Sequence, residues 1–235
     1  MIKEYNTKIK EIKMLHPTVV YLKVPLDDEI DFKAGQFVNF TVEVDGVKHT
    51  RAFSIASSPS SKKELEFAIR IVPDGELTPL IGKMKVGDKV ILKGPLGRFT
   101  AVNAQKKNFV FGSTGTGITP IRSIIKDLFE KNTNKYITLI YGSRDQGGLL
   151  FSDEFEKLEN ENPNFKFVKV VSDDKTWKGK TGRITDYFDE IIDYKSSDVF
   201  LCGIPVMVES AHDLLLKKNM DESQIHFEKY VVRKK

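Results

Sequence analysis

The hydrophobic rhythm of the chain changes once, near residue 102, and that change limits the possible fold more than any single motif. Before it, Val38, Phe40, Val42 and Val44 interleave with Asn39, Thr41 and Glu43, and Leu65, Phe67, Ile69 and Ile71 interleave with Glu66, Ala68 and Arg70. A period of two marks strands with one face in a core and the other in water. Turn signals at EVDGV, VPDGE, KVGDK and GPLG recur at the spacing of an antiparallel barrel or sandwich, and ELTPLIGKM suits one short helix. After the polar stretch NAQKKN (103–108), apolar runs NFVFG, YITLIYG, FKFVKVV and DVFLCG alternate with helical faces. One face carries Ile121, Ile124, Ile125, Leu128 and Phe129; another carries Phe151, Phe155 and Leu158. Strands alternating with helices imply a parallel sheet covered on both sides. The expectation is therefore two domains, an antiparallel β domain over 1–102 and a doubly wound α/β domain over 103–235.

Composition narrows the function. With 40% hydrophobic and 30% charged residues in 235, the chain reads as folded and globular. A net charge of +4, with acids scattered throughout, argues against nucleic acid as a partner. Cys202 is the only cysteine, so these residues form neither an internal disulfide nor an iron–sulfur cluster held by four thiolates. His16, His49, His212 and His226 lie far apart, with no metal-type spacing, so no metal site is expected. The opening MIKEYNTKIKEIK is charged throughout and no apolar run approaches membrane-spanning length, so a cytoplasmic location without a membrane span is expected.

Two stretches carry chemistry. GSTGTGITP (112–120) lies between a strand-like and a helix-like run, where a doubly wound sheet binds ligands. It departs from both standard phosphate fingerprints, because Pro120 stands where a third glycine belongs and no lysine follows Gly117. Gly112, Gly115 and Gly117 nonetheless permit close backbone approach, and Pro120 suits a first helical turn whose N–H groups can face a pyrophosphate. The same pattern also suits a tight turn that holds no ligand. RAFSIASSP (51–59) ends an alternating strand with an arginine, an aromatic ring and a hydroxyl, which can offer a phosphate fork, a stacking face and a hydrogen-bond donor. Alone it could equally be an ordinary exposed strand end.

Taken in order, these motifs make the chain resemble the ferredoxin–NADP reductase superfamily of flavin-dependent NAD(P)H oxidoreductases over nearly its whole length. Arg51, Ala52, Phe53 and Ser54 are similar to its R-x-Y/F-S/T flavin motif, which implies Arg51 on the flavin pyrophosphate, Phe53 against the flavin and Ser54 near N5. PDGELTPL is similar to the second flavin segment, implying that Gly75, Leu77 and Thr78 hold pyrophosphate while backbone near Ile69 and Ile71 lines the ring. GPLG (94–97) resembles the turn ending the family's barrel. GSTGTGITP is similar to its nicotinamide-nucleotide loop, implying roles for Gly112, Thr114, Gly115, Thr116, Gly117 and Pro120, with Ser113 where a second glycine often stands. YGSR resembles the segment beside the adenosine ribose (Gly142, Ser143, Arg144), and CGIPVM the one that sets Cys202, Gly203 and Met207 near the nicotinamide. IHFEKY resembles the terminal stretch that brings Glu228 and Tyr230 to the flavin, although VVRKK follows Tyr230 here.

The resemblance implies a flavin-binding Greek-key β-barrel, a nicotinamide-nucleotide domain, and FAD with NADH or NADPH as cofactors. Ser54, Cys202 and Glu228 would surround hydride transfer, and single electrons would pass to a separate acceptor such as a ferredoxin, a flavodoxin or an oxygenase component. Lysines and arginines at 62–63, 83–85, 98, 217–218 and in the RKK terminus suit an acidic carrier. Alternatives are a flavin reductase that releases its flavin, an electron-transfer subunit of a larger dehydrogenase, and a nucleotide-binding module without redox chemistry. Asp173 and Asp174 in VSDDK would repel a 2′-phosphate and so point to NADH, unless they form only a solvated turn.

Overall fold

The computed structural model describes residues 1–230, so the RKK terminus lies outside the described residues. The chain divides into two compact units. The first comprises Met1–Val102 together with Arg122–Lys131. Its strands are β1 (Lys3–Lys8), β2 (Glu11–His16), β3 (Val19–Pro25), β4 (Phe37–Val44), β5 (Val47–Ser54), β6 (Glu64–Arg70) and β7 (Lys89–Leu96), with the short helix α1 (Thr78–Ile81) before β7. They form two antiparallel sheets, in the orders β1-β7-β4-β5 and β2-β3-β6. Period-two alternation places Val38, Phe40 and Val42 of β4 and Leu65, Phe67 and Ile69 of β6 in one core. Phe40 meets Phe67 edge-on, with ring centroids 5.6 Å apart. At EVDGV, Asp45 (φ 52°) and Gly46 (φ 77°) form the tight β4–β5 hairpin, a turn that needs positive φ at both central residues.

The two sheets are linked at both margins, by the continuous chain at one and by a backbone hydrogen bond at the other. Where β1 runs on into β2, Ile9 N–H donates to Asp88 O (3.0 Å) and Lys10 N–H to Lys23 O (2.9 Å). Beyond the end of β5, Ala56 N–H donates to Glu66 O of β6 at 2.8 Å. The antiparallel barrel expected from the sequence is thus present. The reading of GPLG as a turn is corrected: Gly94, Pro95 and Leu96 belong to β7, and only Gly97 lies past it. The β4–β7 register slips here, Phe37 facing Leu96 while Asn39 faces Lys93. Such a bulge accommodates a proline, because the ladder asks no N–H of it.

The β5–β6 seam is clamped by helix α2 (Ile118–Glu130), whose residues from Arg122 onward belong to this unit. The Arg122 guanidinium, 6% exposed, donates to the Ala56 carbonyl (2.8 Å) and to the Glu66 carboxylate (2.5 Å). Ser123 Oγ donates to Ser57 O at 2.6 Å, and Ser58 Oγ donates to Glu130. One helix face thereby holds Ala56, Ser57 and Ser58, just beyond the RAFS strand.

The second unit takes Asn103–Ile121 and the chain from Asn132. Its strands are β8 (Asn108–Thr114), β9 (Tyr136–Ser143), β10 (Phe165–Val171), β11 (Lys180–Thr181), β12 (Ser197–Gly203) and β13 (Ile225–Lys229), with helices α3 (Ser152–Glu161), α4 (Phe188–Ile191) and α5 (Pro205–Lys217). The sheet is parallel, in the order β11-β10-β9-β8-β12-β13. One face buries Val110, Ile140, Val199 and Leu201 against Val208, Ala211 and Leu215 of α5. On the other, Phe111 stacks on Phe200 at 4.9 Å. Strand β13 is an addition to the sequence reading: its five residues are too few for a periodic signal, and β12 recruits them as an edge. Strand order reverses beside β8, between β9 and β12, so the ligand-binding crevice of this architecture opens after β8. Among the described residues no helix is long and apolar enough to cross a membrane.

Removing Arg122 would leave a half-buried carboxylate and a buried carbonyl without their cation. Arg122→Ala is expected to cost about 3 kcal/mol of unfolding free energy, as for a broken buried pair. Chemical denaturation followed by circular dichroism checks this; a loss below about 1 kcal/mol would show that the seam holds without the clamp.

Candidate functional site

In the first unit, two motifs separated in sequence come together on the barrel. Arg51 on β5 donates from Nη1 to Thr50 O (2.8 Å) and from Nη2 to Glu76 Oε2 (2.5 Å), and Glu76 belongs to PDGELTPL. That loop is drawn tight on Val72, whose N–H donates to Thr78 Oγ1 at 2.9 Å and whose carbonyl accepts from Gly75 N–H at 2.9 Å. A Cβ at Gly75 would sit 3.1 Å from both Thr78 Oγ1 and Val72 O. Thr78 also donates its hydroxyl to Val72 O (3.3 Å), so that group shapes the loop. Leu77 anchors the loop in the core. Phe53 packs edge-on to Phe40 at 5.8 Å, Ser54 is buried, and Ala52 is exposed. Ile69 points into the core, so only its backbone can line anything outside. Ile71 lies just past β6, its N–H bonded to Thr18 O at 2.8 Å.

In the second unit, the loop after β8 meets the ends of β12 and β13. A Cβ on Gly117 would lie 2.2 Å from the Cys202 carbonyl oxygen, so only glycine lets the loop approach β12 this closely. Ser113 Oγ donates to that same carbonyl at 3.2 Å. Gly115 is different: its φ is +55°, yet a Cβ there would meet nothing within 4 Å. Tyr141, fully buried, donates its hydroxyl to Gly115 O at 2.8 Å and ties the loop to β9. Thr114 Oγ1 is buried without a hydrogen-bond partner among the described residues, beside the position where a Cβ on Gly203 would come within 2.6 Å of it. Thr116 O accepts from Thr119, and Pro120 falls in the first turn of α2 as its chemistry requires. Gly112 faces inward instead, where a Cβ would strike Leu201 at 2.8 Å, so its smallness serves sheet packing.

Cys202 is fully buried, and burial pushes its thiol well above the ordinary range. The neighbouring Glu228 charge adds to the rise, while a hydrogen bond with Tyr230 opposes it. The thiol therefore stays protonated at neutral pH and is no thiolate nucleophile. Cys202 faces Glu228 across the β12–β13 ladder. Tyr230 N–H donates to Gly203 O (2.9 Å), and its hydroxyl lies 3.3 Å from that of Thr119. Met207, in the first turn of α5, approaches to 2.7 Å of the Cβ position of Gly203. Ser113, Thr114, Gly117, Thr119, Cys202, Gly203, Met207, Glu228 and Tyr230 thus share one end of the parallel sheet.

At the neighbouring strand ends, Asp173 N–H donates to Arg144 O at 2.7 Å and Ser172 N–H to Ser143 O at 3.0 Å. Gly142 pairs with Thr114 across the β8–β9 ladder. The two aspartates of VSDDK separate in role. Asp174 accepts from Thr176 N–H (2.9 Å), Thr176 Oγ1 (2.6 Å) and Gln146 N–H (3.3 Å), which hold its carboxyl below its usual range. Asp173 is exposed beside Arg144. Sequence reasoning missed Glu76 and the Tyr141 hydroxyl. An acid inside a segment meant to meet an anion was a readable sign of the first; nothing local signals the second. Among the described residues no group of three or more His, Cys, Asp or Glu could hold a metal.

The donor sets suit two nucleotide cofactors. The barrel offers a guanidinium beside a tight glycine loop and an aromatic ring on the same strand, as a flavin diphosphate requires. The second unit offers a glycine loop with open space at Gly115 and a buried unpartnered hydroxyl at a topological switch point. Comparison with known proteins agrees. Residues 7–101 match the family described as "Oxidoreductase FAD-binding domain" and 111–224 that described as "Oxidoreductase NAD-binding domain". The chain is 33% identical over 239 residues to "Phenol hydroxylase P5 protein" of Acinetobacter pittii, covering 98% of this chain and 67% of that protein. It is 34% identical over 235 residues to "Phenol 2-monooxygenase, reductase component DmpP" of a Pseudomonas species, covering 97% and 66%. The crystal structure of the Amycolatopsis cytochrome P450 reductase GcoB superposes with a TM-score of 0.89 at 27% identity, covering 97% of this chain and 70% of that one. The chain thus spans about two thirds of the length of these curated relatives. It belongs to the ferredoxin–NADP reductase superfamily and is a FAD-dependent NAD(P)H oxidoreductase.

The two loop glycines should respond differently to alanine. Gly115→Ala pays only for positive φ, about 1 kcal/mol. Gly117→Ala must push the loop off β12 and should cost about 2–3 kcal/mol, with nucleotide affinity falling in parallel. Thermal unfolding and NAD⁺ titration of both variants measure the difference; equal effects would contradict the close approach at Cys202.

Proposed function

We propose that the chain is a reductase that draws electrons from NADH and hands them singly to a separate acceptor, an oxygenase component or a small ferredoxin- or flavodoxin-type carrier. The observation that carries this reading is the match, over nearly the whole chain, to a protein named as the reductase component of a monooxygenase. We assign this function to the cytoplasm. Bound FAD supplies the conversion from two-electron to one-electron chemistry.

The chain's own residues supply binding and orientation. Arg51 and the Gly75–Thr78 loop hold the flavin diphosphate, Phe53 and the backbone near Ile69 and Ile71 border the ring, and Ser54 stands near its reactive edge. Gly115, Thr114, Thr116 and Gly117, supported by Gly112 and Pro120, receive the nicotinamide-nucleotide diphosphate. Cys202, Gly203 and Met207 border the nicotinamide, with the thiol acting as a neutral contact. Gly142, Ser143, Arg144 and Asp173 flank the adenosine ribose. Some basic groups suited to an acidic carrier are already paired: Lys62 lies 3.6 Å from Glu29 and Lys218 2.6 Å from Asp189.

A visible spectrum followed by anaerobic titration tests this function. A yellow protein bleached stoichiometrically by NADH, which then reduces a one-electron acceptor protein, is the expected result. A colourless protein that reduces only added free flavin would instead be a flavin reductase.

Coenzyme choice follows from the split between the aspartates. The oxygens of Asp174 are taken up by its own turn, so Asp173 is the carboxylate left to meet a ribose hydroxyl or oppose a 2′-phosphate. Asp173→Asn should narrow the NADH-over-NADPH ratio of kcat/KM by about tenfold, equivalent to roughly 1.4 kcal/mol. Asp174→Asn should leave that ratio nearly unchanged while loosening the 172–177 turn. A greater effect at Asp174 than at Asp173 would reverse the assignment.

A further inference from the structure

We propose that Glu76 is a built-in anionic competitor for the flavin diphosphate at Arg51, and that it sets how firmly the chain retains its flavin. The inference rests on the reading of Arg51 as a diphosphate ligand. Glu76 Oε2 accepts from Arg51 Nη2 at 2.5 Å, and the two side chains are 40% and 47% exposed. Both charges are wet, so exchanging one anionic partner for another carries little desolvation penalty. The backbone that carries the carboxylate is fixed beside Arg51. Its neighbour Leu77 is buried in the barrel core, and the loop is closed on Val72 by Gly75 N–H and by the Thr78 hydroxyl.

The charge balance then decides the sign. Arg51 alone would present one positive charge to a diphosphate; the Arg51–Glu76 pair presents none. An arriving diphosphate must share or replace the carboxylate on the guanidinium and remain beside a like charge. Glu76 could instead assist by orienting the arginine, and glutamine separates the two effects. Its amide oxygen can still accept from Arg51 Nη2, so orientation is kept while the charge is removed.

The test is equilibrium dialysis of the full chain, freed of flavin, against FAD and against riboflavin, which lacks phosphate. Glu76→Gln should bind FAD about two- to fivefold more tightly than the parent, with the gain shrinking as salt is added, and should bind riboflavin unchanged. Arg51→Ala should bind FAD at least about tenfold more weakly. If Arg51→Ala weakens FAD but Glu76→Gln leaves it equal or weaker, competition at Glu76 is overturned and the diphosphate reading of Arg51 stands. If Glu76→Gln tightens FAD and riboflavin alike, the effect does not act through the diphosphate and the proposal also fails. Unchanged FAD affinity in Arg51→Ala would overturn the underlying reading itself.

Discussion

The barrel depends on one seam. Strands β5 and β6 belong to different sheets, and the backbone bond between Ala56 and Glu66 joins them past the end of β5. On the face of this seam turned away from the barrel core, Arg122 engages the Ala56 carbonyl and the half-buried Glu66 carboxylate with one guanidinium. Its planar fork can reach a carbonyl and a carboxylate together, which a lysine ammonium does with less geometric control. The cation also acts on its surroundings. Burial pushes the Tyr21 phenol above its usual range and the Glu66 carboxylate adds to the rise, while Arg122 opposes it. Only Ile55 separates Phe53 and Ser54 from the clamped Ala56–Ser58 segment, so the motif expected to face the flavin is held from behind by packing and hydrogen bonds rather than left as a free strand end.

The second unit solves a different problem, that of bringing a loop against a strand end without losing the space a ligand needs. Gly117 lets the backbone touch Cys202, and Gly115, two residues earlier, keeps its outer side open. The Tyr141 hydroxyl fixes the carbonyl between these tasks and accepts from Leu150 N–H at 3.3 Å. The loop's shape is therefore imposed by its neighbours. A buried thiol is compatible with this arrangement because, kept neutral, it adds no charge to a region that already contains Glu228.

Some of this was legible in local sequence. The alternation of Val38, Phe40 and Val42 and of Leu65, Phe67 and Ile69 corresponds to the barrel core, and the four apolar runs after residue 107 became β8, β9, β10 and β12. GPLG misled because glycine and proline mark turns in most settings, whereas here a bulge in β7 absorbs both. Gly112 carries a packing demand that its place in a glycine-rich loop does not announce, since Leu201 fills the space beside it.

By itself the sequence determined the two architectures, because periodicity of two against alternating strand and helix is a local property that burial enforces residue by residue. It also marked out the segments proposed for nucleotide chemistry, since glycine, arginine and proline act through backbone freedom and charge that each residue brings with it. Partners distant along the chain were decided only by the tertiary structure. Glu76 lies 25 residues from Arg51, Arg122 56 from Glu66 and Ser113 89 from Cys202, and no local pattern encodes such pairings. The same holds for the division of labour between Asp173 and Asp174, which are chemically identical until the turn that ends at Trp177 engages one carboxylate and leaves its neighbour exposed.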